Sequence, residues 1–256
     1  MTAETDAVMW NSPPSVLTLN TGEVHVWRAD LNISTPRIRE LYEHLSADEH
    51  ARAQRFYFLQ HRQHFIVGRG FLRGILGRYL GVSLGQLRFD YAPGGKPFLA
   101  NECGGEKLNF NLSHSEAVAL YAVIHPRTSQ NIGVDIERIK PEIIEERVAE
   151  HFFSPREVAA LRSLPPNAQP QGFFNCWTRK EAYVKAMGEG LALALDQFDV
   201  SLVPGEPAAL FTVLGNSQEA HRWSVRELFP GAGYAGALAI KANDIRVRCW
   251  QWTSEM

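Results

Sequence analysis

Cysteine is scarce in this chain: Cys103, Cys176 and Cys249 are the only three in 256 residues, and no two form a CxxC pair. That excludes a disulfide-stapled secreted scaffold and a cysteine-built zinc site, and an odd unpaired set points to a reducing, cytoplasmic setting. Excess basic charge is also absent. A net charge of −2 rules out a protein that grips nucleic acid by bulk electrostatics. The most apolar run, Ala117 to Ile124, is far short of the roughly 20 residues that cross a bilayer. Met1 to Ser15 shows no basic stretch followed by an apolar one, so no secretory signal is expected. Neither nucleic acid nor a membrane is therefore expected as a partner. No G-x-x-x-x-G-K-[ST] run occurs, which argues against a P-loop nucleotide enzyme. The last absence is local. Between Ala51 and Arg88 there is no Asp or Glu, yet there are seven arginines, with His61 and His64 among them. A solvated helix face normally mixes signs, so this run reads either as such a face or as a surface for an anionic ligand or acidic partner.

What remains is ordinary globular material, 45% hydrophobic and 21% charged, long enough for one large domain or two modest ones. The element pattern repeats. A strand at Glu23–Trp27 precedes a helix with Thr35 as N-cap and Pro36 at its first turn. Ser46 and Glu49 form a capping-box signature for a second helix. A long helix fits Gln60–Leu80 and strands fit Leu87–Tyr91, Leu108–Leu112 and Val118–Ile124. The second half runs in the same order: a strand at Asn131–Glu137, a helix near Glu142–His151, a capping box at Ser154–Glu157 and a long helix from Gln171 to Met187. That helix should end at Gly188 and Gly190. Five further strands fit between Phe198 and Trp252. The expected fold is α+β, two similar α/β halves (residues 1–127 and 128–256) related by a pseudo-twofold, with the ligand cleft between them.

Two stretches carry the chemistry. In Gly133-Val134-Asp135-Ile136-Glu137 the acids are two apart, so both carboxylates leave one face of a strand. In Trp177–Leu191, reading WTRKEAYVKAMGEGL, Glu181 and Lys185 are four apart on one helix face, with Trp177 a turn earlier. Singly, these could be exposed strand acids and a surface ion pair. Together they offer three carboxylate ligands for a hard cation such as Mg2+ or Mn2+, and an ammonium for the pyrophosphate it would hold. Gly94-Gly95-Lys96-Pro97 adds a turn with backbone N–H groups and a lysine, otherwise a plain hairpin. Asn111-Leu112-Ser113-His114-Ser115 adds hydroxyls and an imidazole at a strand end.

GVDIE, WTRKEAYVKAMGEGL, GGKPF at 94–98, FNLSHS at 110–115 and the looser SADEHARAQRF at 46–56 fall in one order. The set resembles the 4′-phosphopantetheinyl transferases, of the larger two-half type that activates peptide and polyketide synthetases. The landmarks span Ser46 to Leu191; beyond them only the strand pattern supports the match. The resemblance implies transfer of the phosphopantetheine arm of coenzyme A to a serine of an acyl or peptidyl carrier protein, with release of adenosine 3′,5′-bisphosphate. It maps the metal ligands to Asp135, Glu137 and Glu181, and the pyrophosphate contact to Lys185. It maps the CoA-binding turn to Gly95, Lys96 and Pro97, and the 3′-phosphate and ribose contacts to Ser113 and His114. Arg52 falls on a basic CoA-contacting position, and Asp135 counts among the CoA-site residues through the metal. Glu49 and Phe65 depart from the family pattern, which leaves the 3′-phosphate clamp to Arg69 or Arg73.

Transfer of a phosphoryl group asks for charge neutralisation more than for covalent help. In that chemistry Glu181 is the expected base for the serine proton and Lys185 the stabiliser of the leaving bisphosphate. The segment Arg138–Phe153 is the expected carrier surface, with Ile143, Ile144, Phe152 and Phe153 among charged residues. The competing readings are another magnesium-dependent nucleotide enzyme and a non-catalytic CoA- or nucleotide-binding regulatory protein of the same fold. Two halves in one chain make a monomer the natural expectation.

Overall fold

The computed structural model describes residues 9–144, 147–188 and 194–253. Strand β1 (Glu23–Asp30) is followed by helices α1 (Thr35–Glu43), α2 (Ala47–Gln54) and α3 (Leu59–Leu80). The hairpin β2 (Phe89–Tyr91) and β3 (Pro97–Leu99) and the longer pair β4 (Asn109–Ser115) and β5 (Val118–Ile124) complete the first half. The second opens with β6 (Ile132–Arg138). Then come α4 (Ala149–Phe152), α5 (Pro155–Ser163) and α6 (Gln169–Met187), the hairpin β7 (Phe198–Val200) and β8 (Leu210–Val213), one-turn α7 (Ser217–Ala220), β9 (Ser224–Leu228), β10 (Tyr234–Ile240) and β11 (Arg246–Gln251). The protein is α+β, as the sequence pattern implies.

The repeat extends to sheet topology. In the first half the strand order is β1-β5-β4 and in the second β6-β10-β9, all antiparallel neighbours. In each half the first strand pairs with the last of its set, which pairs with the one before it. The division expected at residues 127 and 128 is crossed by one strand. β11, at the end of the chain, lies parallel beside β1, with Trp27 opposite Trp250, so the first sheet is completed by the second half's last strand.

Strand parity dictates the layers. Val24 and Val26 of β1 and Leu120 and Ala122 of β5 meet Val134 and Ile136 of β6 and Leu238 of β10 in a core between the two sheets. Residues of opposite parity, Trp27, Tyr121 and Val123, pack with Phe71, Leu72 and Ile75 of α3. Ala235, Ala237 and Ala239 pack with Phe173, Ala182 and Tyr183 of α6. The order is helix, sheet, sheet, helix, with α3 and α6 on the outside of the sandwich. Both long helices are therefore buried along much of their length and stop at left-handed glycines, Gly81 (φ 68°) and Gly188 (φ 75°), which carry no Cβ penalty there.

Local signals hold with small shifts. Both capping boxes form. The cap of α1 is Ser34, one residue before Thr35, with Pro36 still in the first turn. The helix expected over 142–151 is instead a 3-10 turn at Pro141–Ile144 and the single turn α4. Pro141 starts that turn, and Arg147 takes a positive φ of 54°, which no continuous helix accommodates. Gly190, expected at the end of α6, lies outside the described residues. No helix among them is long and apolar enough to cross a membrane.

Candidate active site

β6 places Gly133, Asp135 and Glu137 on the face that α6 covers. Gly133 is there because nothing larger fits: a Cβ would stand 2.0 Å from the Ala182 carbonyl oxygen and 2.5 Å from the Ala186 nitrogen. This contact brings the same turn of α6, with Glu181 and Lys185 beside Ala182 and Ala186, against Asp135. The acids were expected on the polar face of a buried strand. That face is itself enclosed, and Asp135 is only 2% exposed.

Asp135 is tightly engaged. Its Oδ1 accepts from the Lys185 ammonium at 2.6 Å and from the Ser113 hydroxyl at 2.8 Å. Its Oδ2 is buried and has no protein partner. Burial pushes the Asp135 carboxyl above its ordinary range, against the pull of Lys185 and Ser113. Burial also raises Glu137 and Glu181, and the negative charge of Asp135 adds to both shifts. Three carboxylates therefore repel one another in one enclosed place, relieved by a single ammonium. As the side chains lie, no three acidic or metal-ligating residues among those described are grouped closely enough to hold an ion. The donor set still suits a hard divalent cation: carboxylate oxygens, mutual repulsion that such a charge relieves, and one orphaned buried oxygen.

Beside this cluster a cleft of about 360 Å³ opens between the halves. Glu181, Val184, Lys185 and Gly188 line it from α6, Gly94 to Pro97 from the β2–β3 hairpin, and Leu112 and His114 from β4. Arg52, Phe65 and Arg69 close it from α2 and α3. Of the expected CoA-site residues, Arg52, Gly95, Lys96, Pro97, His114 and Lys185 thus share one cleft. Ser113 points the other way, accepting from Lys185 at 2.9 Å while donating to Asp135. Burial lowers the His114 pKa, helped by the neighbouring imidazole of His64. Lys96 donates to the carbonyls of Ile132 at 3.1 Å and Lys185 at 2.8 Å. Two of its three donors tie the hairpin to the second half, leaving one for the cleft.

The acid-free arginine run divides. Arg73 is 1% exposed and bonds to Glu49 and to the carbonyls of Leu84 and Leu87. It is a structural residue and does not reach the cleft, which corrects half of the expected 3′-phosphate clamp. Arg69 does line the cleft. It lies against the rings of Phe65, Phe89 and Tyr91, with a buried Nη1 that has no acceptor. Glu49, which departs from the family pattern, is the 1% exposed carboxylate that pairs with Arg73 at 2.7 Å. The expected carrier surface also divides. Phe153 is buried with Phe173, while Phe152 stays 43% exposed against Trp177. The Ile143 side chain lies outside the described residues. Trp177 stacks on Phe173 at 5.9 Å, so its face of α6 is inward, as expected, but into the core and not the cleft.

Sequence reasoning missed three residues. Asn111 accepts from the Val134 amide at 2.8 Å, and Ser115 donates to Glu137 at 2.8 Å and accepts from the Arg138 amide at 3.0 Å. With Ser113 they stitch β4 to β6. Lys180, inside the WTRKE run, points away from the cleft. It is fully buried, bonded to Glu157 at 2.8 Å and to the carbonyls of Leu195 and Phe198. The alternation of polar residues at 111, 113 and 115 was the available signal for the first two. For Lys180 there was none.

Comparison with known proteins agrees with this arrangement. The family model described as the 4′-phosphopantetheinyl transferase superfamily matches residues 131–239, and one described as the N-terminal part of 4′-phosphopantetheinyl transferase matches residues 32–125. The 4′-phosphopantetheinyl transferase HetI of Nostoc sp. is 44% identical over 243 residues, 95% of this chain and 98% of the relative. A putative 4′-phosphopantetheinyl transferase of Synechocystis sp. is 35% identical over 181 residues, 70% of each chain. The 4′-phosphopantetheinyl transferase Sfp of Bacillus subtilis is 31% identical over 158 residues, 62% of this chain and 66% of that one. With both halves matched in order and a relative aligned along nearly its whole length, the chain belongs to the 4′-phosphopantetheinyl transferase family.

Proposed function

We propose that this chain moves the 4′-phosphopantetheine arm of coenzyme A onto a serine of an acyl or peptidyl carrier protein, releasing adenosine 3′,5′-bisphosphate. The observation that carries the reading is the junction itself. A cleft with cationic walls, Arg52, Arg69 and Lys96, ends at coupled carboxylates and one ammonium, the arrangement a pyrophosphate and its counter-ion require. Both Glu181 and Lys185 face that end, which favours an enzyme over a non-catalytic CoA-binding protein.

In the reaction the carrier serine oxygen bonds to the phosphorus that bears the pantetheine arm. The bond from that phosphorus to the bridging oxygen breaks, and the electron pair leaves on the adenosine bisphosphate. Lys185 meets the growing negative charge on the leaving phosphate. Glu181 takes the serine proton, and its raised pKa brings it closer to neutrality, where a carboxylate is a better base. Ser113 holds Asp135 and Lys185 in register, and His114 and Arg69 bind the nucleotide end. Asp135, Glu137 and Glu181 would hold Mg2+ or Mn2+, which when bound supplies neutralisation of the pyrophosphate charge. A monomer and a cytoplasmic setting complete the reading, on the repeated half within one chain and on three unpaired thiols. The test is incubation with CoA, magnesium and an apo carrier protein, followed by mass spectrometry. Gain of the phosphopantetheine mass on the carrier serine is expected, and no gain with any carrier class would reject the reading.

A further inference from the structure

The three carboxylates at the end of the cleft are held unequally. Asp135 is fixed by Lys185 and Ser113. Glu137 receives one side-chain hydrogen bond, from the Ser115 hydroxyl to its Oε2 at 2.8 Å. The Glu181 carboxylate has no hydrogen bond to any described residue. Two strand acids are thus tied down and the helix acid is not.

The Ser115 hydroxyl has little choice of direction. Its oxygen accepts from the Arg138 amide at 3.0 Å, which leaves its single proton for Glu137. Ser115 is itself well anchored. It ends β4 opposite Val118 of β5, and the turn between them holds Glu116 at a φ of 50°. The Leu31 amide donates to the Ala117 carbonyl of that turn at 2.7 Å. Glu137 is therefore held from a fixed hairpin end. With Oε2 engaged, its Oε1 has no partner among the described residues. Asp135 likewise keeps one unpartnered oxygen, Oδ2.

We infer that Ser115 is a positioning residue for the metal: its hydroxyl fixes the Glu137 carboxylate so that one oxygen is offered to a divalent cation. Glu181, which no described side chain holds, stays free to follow the incoming serine as base. This rests on the proposed transferase reading and its carboxylate-bound metal. A free glutamate side chain loses rotamer freedom when it ligates a cation. Held by Ser115, Glu137 has lost part of that freedom on folding and not on binding. Removing such a partner of a metal-ligating carboxylate typically costs about 10- to 100-fold in metal affinity.

Ser115 also joins β4 to β6, so the test separates the two roles. Mn2+ is titrated calorimetrically into CoA-saturated enzyme with no carrier present, which reads binding without turnover. Ser115→Ala should weaken Mn2+ by about 10- to 100-fold, and the Mg2+ concentration that half-activates transfer should rise with it. Ser115→Thr keeps the hydroxyl and should stay near wild type. Asn111→Ala opens the same seam at Val134 without touching a carboxylate, and should leave the Mn2+ affinity near that of wild type. Should Ser115→Ala fold poorly, Ser115→Cys, whose thiol donates only weakly, is read in its place. Unchanged Mn2+ affinity with a lowered melting temperature would make Ser115 a seam residue alone and overturn the inference. An equal loss in Asn111→Ala would overturn it too, by tracing the effect to the seam. A wild type that transfers the arm but binds no Mn2+ removes the metal and this role together. A wild type that transfers to no carrier fails the transferase reading, while the Mn2+ titration still decides the role of Ser115.

Discussion

Gly133→Ala is the sharpest single perturbation the structure offers. The added methyl would lie 2.0 Å from the Ala182 carbonyl oxygen and 2.5 Å from the Ala186 nitrogen. Both are backbone atoms inside α6, so no side-chain rotation relieves the clash. Reaching ordinary contact requires the strand and helix to part by more than about 1 Å. Overpacking of a tight core costs typically 1–3 kcal/mol. For a chain of this length that is a fall in melting temperature of roughly 2–12 °C. The larger consequence is at the site. Glu181 and Lys185 ride on the displaced helix while Asp135 stays on the strand, so the 2.6 Å contact between Lys185 and Asp135 is lost. A displacement of about 1 Å in a reacting array costs on the order of 100-fold in rate. The measurements are thermal unfolding and kcat with a saturating carrier and CoA. A variant with wild-type melting and wild-type kcat would show that β6 and α6 do not approach as described, and the account of why the motif begins with glycine would fall.

Other predictions follow from buried charge. Lys180→Ala strands Glu157 without its cation, which typically costs 3–5 kcal/mol, or a drop of roughly 10 °C. Because burial already raises the Glu157 pKa, the variant should regain stability as pH falls and the carboxyl protonates, and a pH-independent deficit would refute this. Burial lowers the Lys96 pKa to about 8, so CoA affinity should fall as pH rises through about 8. Over the window from there to the ordinary lysine range the unfolded chain binds the extra proton, so the stability contribution of this group rises with pH. Lys96→Met should flatten both trends. Activity should require Mg2+ or Mn2+, and Asp135→Ala should remove metal-supported turnover and the calorimetric signal of metal binding; full activity in EDTA would contradict the metal reading.

Much of this was legible from residue order because the signals were local. Two capping boxes, Gly188 at the end of α6 and the two-residue spacing of the acids in β6 each act over a few residues, and each appears where those residues fall. Glu181 and Lys185 share a helix face because four residues make one turn. What could not be read were long-range pairings. Nothing near Arg73 in sequence announces that Glu49 will hold it, so its cationic run looked like one surface and divides into a buried clamp, a cleft wall and an exposed remainder. Nothing near Lys180 distinguishes it from Lys185, although one faces the core and the other the cleft. The crossing of β11 to the first sheet depends on β1, more than 200 residues away. The two-half description was right in topology, but the chain does not end in the half where it was expected to remain.

The site is built on the seam between the halves. β6 spends one edge on β10. Toward β4 it meets side chains in place of a backbone ladder: Asn111 on the Val134 amide, Ser113 on the Asp135 carboxylate, and Ser115 on the Glu137 carboxylate and the Arg138 amide. Asn111, Ser113 and Ser115 join the halves, while Leu112 and His114, with Asn111 at the start of the strand, line the cleft. One short strand both closes the molecule and furnishes the site. Asn111 is the part of this seam that touches neither carboxylate, and it is 4% exposed. Replacing it with alanine leaves the Val134 amide buried without an acceptor, at a cost of about 1–3 kcal/mol. Asn111→Ala should lower the melting temperature by several degrees and also raise KM for CoA, because Asn111 itself lines the cleft and the cleft walls belong to opposite halves. Asn111→Asp keeps the acceptor and should restore the melting temperature more fully than it restores CoA binding, since it adds a negative charge beside an anionic ligand. Equal recovery of both would mean that Asn111 serves stability alone and that the cleft does not depend on how tightly β4 and β6 are joined.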